Sequence, residues 1–60
     1  MTWYQDGFDE YSCGDHDHGG RVWPSGDAWE WWASNGDRVT TGRHPTAEGA
    51  MRAAEEVMVA

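Results

Sequence analysis

The clearest pattern in the chain lies near its C-terminal end. Ala47, Ala50, Met51, Ala54, Val57 and Met58 recur at three- and four-residue spacing, while Glu48, Arg52, Glu55 and Glu56 fall mostly on the other side. That period predicts an amphipathic helix. His44-Pro45-Thr46 marks its start. Thr46 is a good N-cap, and Glu48 stands in the first turn, where the positive end of the helix dipole favours an acid. The predicted helix spans 46–59. Its small Ala residues suit close packing on a bulky sheet face.

Upstream the period changes to two. Trp29-Glu30-Trp31-Trp32-Ala33 is aromatic-rich and reads as a strand, Asn35-Gly36 as a turn, and Arg38 to Arg43 as a second strand. A two-residue Asn-Gly loop would pair Trp31 with Thr40. A three-residue loop, Ser34-Asn35-Gly36, pairs Trp31 with Val39 and Trp29 with Thr41 and gathers all four on one face. The second register is preferred, because a one-residue slip carries a strand's apolar set to the opposite face. Arg21-Val22-Trp23 is a candidate third strand, joined through the turn sequence Pro24-Ser25-Gly26-Asp27. That link would set Val22 opposite Trp29 and Arg21 opposite Glu30. Trp3-Tyr4 is a further candidate for edge pairing.

The expected fold class is therefore α+β. A two- or three-stranded antiparallel sheet (about 21–23, 29–34 and 37–43) carries one C-terminal helix on one face. Residues 21–60 form this sheet–helix domain. Residues 5–20 are rich in Asp, Gly and His, with Phe8 and Tyr11 as the large apolar side chains. The segment 1–20 is expected to be loop or partly ordered.

Composition sharpens this picture. The chain has 60 residues, with no Leu, Ile or Lys, and four Arg as its basic residues. The missing aliphatic volume must come from five Trp together with Met and Val. Absence of Lys and Ile, whose codons are AT-rich, points to a GC-rich genome. One domain this small buries only about 60% of the surface its unfolded chain exposes, which leaves little room for an enclosed catalytic cleft.

The formal net charge is −7. Residues 1–20 hold Asp6, Asp9, Glu10, Asp15 and Asp17 with no Lys or Arg, and residues 21–60 hold six acids against four Arg. Such a field repels phosphate backbones and argues against nucleic-acid binding. It suits a basic protein surface, a cation, or simple solubility. Cys13 is the one cysteine, so no internal disulfide is expected. No apolar run reaches membrane length and no secretory h-region is visible. The expected location is the cytoplasm of the producing or infected cell.

Three constellations carry candidate chemistry. The first is Cys13-Gly14-Asp15-His16-Asp17-His18. Thiolate and imidazole are zinc ligands, and Cys13, His16 and His18 are a candidate metal set that would staple the N-terminal zone. The bland alternative is a solvated acidic loop. The same Cys–His pair suggests a nucleophile, but catalysis needs an ordered base and an oxyanion hole, so no enzyme is expected. The second is the pair Trp23 and Trp32, which point away from the face assigned to the core and are flanked by Glu30 and Arg21. They are candidate contact residues for a protein partner or a second copy of the chain, or else cover for the sheet's second face. The third is the acidic zone 6–17. Its Asp15 and Asp17 are candidate partner contacts, by mimicry of nucleic acid at a basic site, or simply keep the chain soluble.

Trp29-x-Trp31, a Gly-containing turn, Val39-x-x-Gly42 and Thr46-x-Glu48-x-x-Met51-x-x-Ala54-Glu55 resemble a small hairpin–helix module found in proteins of actinobacteria and their phages, mostly of unassigned function. Gly42 to Glu55 also resembles the strand–turn–helix segment of HicB-type antitoxins, although the aromatic strand and Pro-Gly motif that precede it there are absent here. The first resemblance implies the hairpin–helix fold, and a phage-encoded modulator of a host protein is the setting expected for a binding module of this kind. The second implies an antitoxin-like regulator paired with a small basic ribonuclease toxin. The function expected from the residues is a non-catalytic protein-binding module, with the metal-stapled domain as the alternative.

Overall fold

The computed structural model describes residues 2–15 and 17–59. Among these, five strands precede one helix: β1 (Tyr4–Asp6), β2 (Glu10–Gly14), β3 (His18–Ser25), β4 (Ala28–Asn35), β5 (Val39–His44) and α1 (Ala47–Met58). The strands form one antiparallel sheet in sequence order, with β1 and β5 at its edges. The helix lies on one face, against β3, β4 and β5.

The α+β class with a C-terminal helix is as expected, but the sheet has five strands rather than two or three. The segment 1–20, expected to be loop or partly ordered, supplies β1, β2 and the start of β3. Trp3, Tyr11 and Cys13 pack toward the core, and pairing with the edge of β3 makes an otherwise polar segment a strand. The indole of Trp3 adds a tether, donating from Nε1 to Glu55 Oε2 at 2.8 Å.

Both central hairpins turn on the same dipeptide. Gly26-Asp27 joins Ser25 to Ala28, and Gly36-Asp37 joins Asn35 to Arg38. Gly26 and Gly36 have φ of 65° and 94°. A two-residue hairpin loop with glycine first accommodates that left-handed backbone without steric cost. Asn35 Oδ1 accepts from the N–H groups of Asp37 and Arg38 and tightens the second turn. These turns reset the expected registers. Val22 pairs with Trp31 instead of Trp29, and Arg21 with Trp32 instead of Glu30. That shift is even, so the faces of β3 are as expected. On the other side Trp31 pairs with Gly42 and Ser34 with Val39. This shift is odd and inverts β5: Val39, expected beside Trp31 in the core, is 59% exposed on the opposite face.

The core is Val22, Trp31, Ala33 and Cys13 from the sheet against Ala50, Ala54 and Met58 from the helix. Ala50 and Ala54 are fully buried. Their small side chains let α1 approach the Trp31 indole, the large-against-small packing a chain without Leu or Ile requires. Helix capping follows the sequence: Thr46 Oγ1 accepts from Gly49 N–H at 3.1 Å, and Glu48 lies in the first turn. Pro24 lies past the last β2–β3 pair, Tyr11 with Val22, where β3 has a single neighbour and a missing N–H is tolerated.

Candidate binding face

The helix covers one face of the sheet and leaves the other open. Alternation along β3 and β4 puts Arg21, Trp23, Glu30 and Trp32 on that open face. Cross-strand pairing then sets Arg21 beside Trp32 and Trp23 beside Glu30. Thr41 and Arg43 of β5 continue the two rows. Both Trp side chains are half-buried, whereas their neighbour Trp31 is buried against the helix. The sequence expectation that Trp23 and Trp32 point away from the core agrees with this arrangement.

Trp23 and Trp32, with Glu10 and Arg21, wall an open hollow of about 450 Å³. The Arg21 guanidinium is held at 3.2 Å from Glu10 and 3.8 Å from Asp6. All three side chains are well exposed to water, so these pairs orient Arg21 more than they stabilise the fold. Arg43 donates to the Ser25 carbonyl at 3.2 Å. A second cavity, of about 540 Å³, lies between α1 and the β4–β5 turn. Its walls mix Asp37 and Glu56 with Arg38.

The other sequence candidates sit elsewhere. Asp15 Oδ1 accepts the N–H groups of Asp17 and His18 at 3.0 and 2.9 Å, which shapes the β2–β3 turn. Asp17 contributes its carbonyl to the hydroxyl of buried Ser34 at 2.9 Å. Glu30 stands between Trp23 and Arg43 on the open face. Cys13 is buried, its Sγ 3.7 Å from Met58 Sδ, and His18 Nε2 lies 2.7 Å from the Met58 carbonyl. Both therefore meet the end of the helix. His16 lies outside the described residues. Among the described residues no group of three His, Cys, Asp or Glu side chains is placed to hold a metal ion. Burial pushes the Cys13 thiol above its ordinary value of 9.0, the Glu55 charge adds to this, and a backbone hydrogen bond from Gly20 opposes it.

Glu10, part of the acidic zone 6–17, is brought to the two Trp by β2, a strand absent from the sequence expectation. The available signal was Tyr11-Ser12-Cys13 between the turn pairs Asp6-Gly7 and Gly14-Asp15, a short strand framed by its own punctuation.

No family model, no curated protein and no solved structure matches this chain. No helix among the described residues is long and apolar enough to cross a membrane.

Proposed function

We propose that this protein is a non-catalytic protein-binding module whose contact surface is the open face of the sheet. The observation that carries the reading is the pair Trp23 and Trp32, half-buried on the helix-free face and walling one hollow. Large aromatic side chains on a surface that another protein can desolvate are the usual anchors of binding energy. The strand pairs hold both rings on regular, hydrogen-bonded backbone, so little order remains to be lost on binding.

The state of Cys13 supports the non-catalytic part. A nucleophilic thiol is exposed and has its pKa lowered, whereas this one is buried and raised. A phage-encoded modulator of a host protein is one biological setting that fits such a module.

The test is affinity capture with three baits: wild type, Trp32→Ala and the helix-surface variant Glu48→Gln. A partner retained by wild type and Glu48→Gln but lost by a folded Trp32→Ala supports the assignment. Equal capture by all three would remove the open face from the function.

A further inference from the structure

The hollow between Trp23 and Trp32 is the middle of a longer groove. Toward the β1–β2 turn it shares Glu10 and Trp23 with a hollow of about 370 Å³ whose other walls are Phe8, Asp9 and Pro24. In the opposite direction it shares Arg21 and Trp32 with one of about 250 Å³ that reaches Asp6, Ser12 and Asp15. The three compartments follow β3 from Pro24 back to Gly20. At about 3.3 Å per strand residue that is roughly 13–17 Å, the span of about five residues of extended chain. Asp6, Asp9, Glu10 and Asp15 line these hollows, and Arg21 is the basic residue among their walls.

We infer that this groove takes an extended arginine-rich segment of another protein, laid along β2 and β3 across the rings of Trp23 and Trp32. The inference rests on the proposed binding role of the open face and names its ligand. Charge selects the occupant. An acidic channel with aromatic walls attracts a cation that can also stack, and guanidinium does both better than ammonium. Arg21 already shows the chemistry: it reaches Glu10 and Asp6 within the groove, and an incoming guanidinium would compete for the same carboxylates. A second copy of the chain fits poorly. It carries a net charge of −7, and its four Arg (21, 38, 43 and 52) are never closer than five positions, so it offers no basic segment.

The experiment titrates the full chain with hexa-arginine, using hexa-lysine and hexa-serine as comparisons, and follows the Trp indole N–H signals by NMR. The expected result is saturable binding of hexa-arginine, tighter than hexa-lysine, with shifts concentrated on Trp23 and Trp32. Affinity should fall about tenfold in Trp23→Ala and in the double variant Asp9→Asn/Glu10→Gln. The helix variant Glu48→Gln/Glu56→Gln makes the same change in net charge and should leave affinity unchanged. Helix amide signals report whether each variant is folded. Equal weakening by the helix variant, or equal affinity for both basic peptides, would reduce the effect to bulk charge and overturn the inference. Failure of hexa-arginine to bind, while Trp32→Ala still loses a captured partner, would overturn the ligand assignment and leave the binding module standing. Capture unaffected by Trp32→Ala would remove both.

Discussion

Gly42 lies directly opposite Trp31 in the β4–β5 ladder, and a Cβ at position 42 would come within 2.8 Å of Trp31 Cε2, Cζ2 and Nε1. The ring occupies the space a side chain would need. Gly42→Ala must therefore displace the largest side chain of the core. Overpacking of this kind costs about 1–3 kcal/mol. A domain of this size has total stability of about 3–9 kcal/mol, so a fall in melting temperature of several degrees is expected by circular dichroism. An unchanged transition would mean that the indole does not lie over Gly42.

Trp31 and Trp32 are adjacent and face opposite ways, and their truncation should have unequal consequences. Trp31→Ala opens a cavity beneath α1 and should cost about 3–5 kcal/mol, a large share of the total stability. Trp32→Ala removes a half-buried ring that the helix does not cover, and should cost less, about 1–2 kcal/mol. Thermal melts of the two variants side by side decide the matter. Similar losses would place both rings in the core and contradict the open face.

Trp3 should hold the N-terminal hairpin to the helix. Trp3→Phe keeps the aromatic ring but removes the indole donor to Glu55. The expected loss is about 1 kcal/mol. Hydrogen exchange should quicken at the β1 and β2 amides and change little within α1. Uniform acceleration across the chain would show that the tether belongs to the global fold and not to its edge.

Cys13 makes a prediction in alkaline solution. Its folded thiol is raised above the ordinary 9.0, mainly by burial. The neutral form is thus favoured in the folded chain, and the thiol of the unfolded chain ionises first. Its contribution to stability is complete below the unfolded value and is lost as pH rises through the folded one. Chemical denaturation between about pH 8 and 10 should show wild type losing stability relative to Cys13→Ala. A constant difference across that range would mean the thiol is not desolvated. Thiol reagents should likewise label native protein slowly and unfolded protein fast.

The N-terminal hairpin shows why a polar segment escaped the sequence reading. Phe8 is 89% exposed in the β1–β2 turn and Tyr4 is exposed on β1. The residues that face inward are Trp3, Tyr11 and Cys13, too few and too scattered to register as periodicity. What makes them strands is the edge of β3, whose unpaired backbone groups from Gly19 to Val22 find partners in β2. A backbone edge leaves only a short signal, Tyr11-Ser12-Cys13 between its turn pairs, in the chain that covers it. The acidic groove was invisible for the same reason, because Asp6, Asp9 and Glu10 reach Trp23 and Trp32 only when β2 is in place.

Local interactions wrote the rest into the sequence. The helix from Ala47 to Met58, its Thr46 cap, the strand character of residues 29–34 and the outward aim of Trp23 and Trp32 depend on near neighbours and on periodicity. Register needed tertiary structure. The turn sequences allowed loops of two, three or four residues, and each sets a different partner for Trp31. The selected pairing places Gly42, not Val39, against the Trp31 ring, since a ring this large beneath a helix of small Ala residues leaves room for no other side chain. Volume in the core is shared among β4, β5 and α1, and only their assembly decides it.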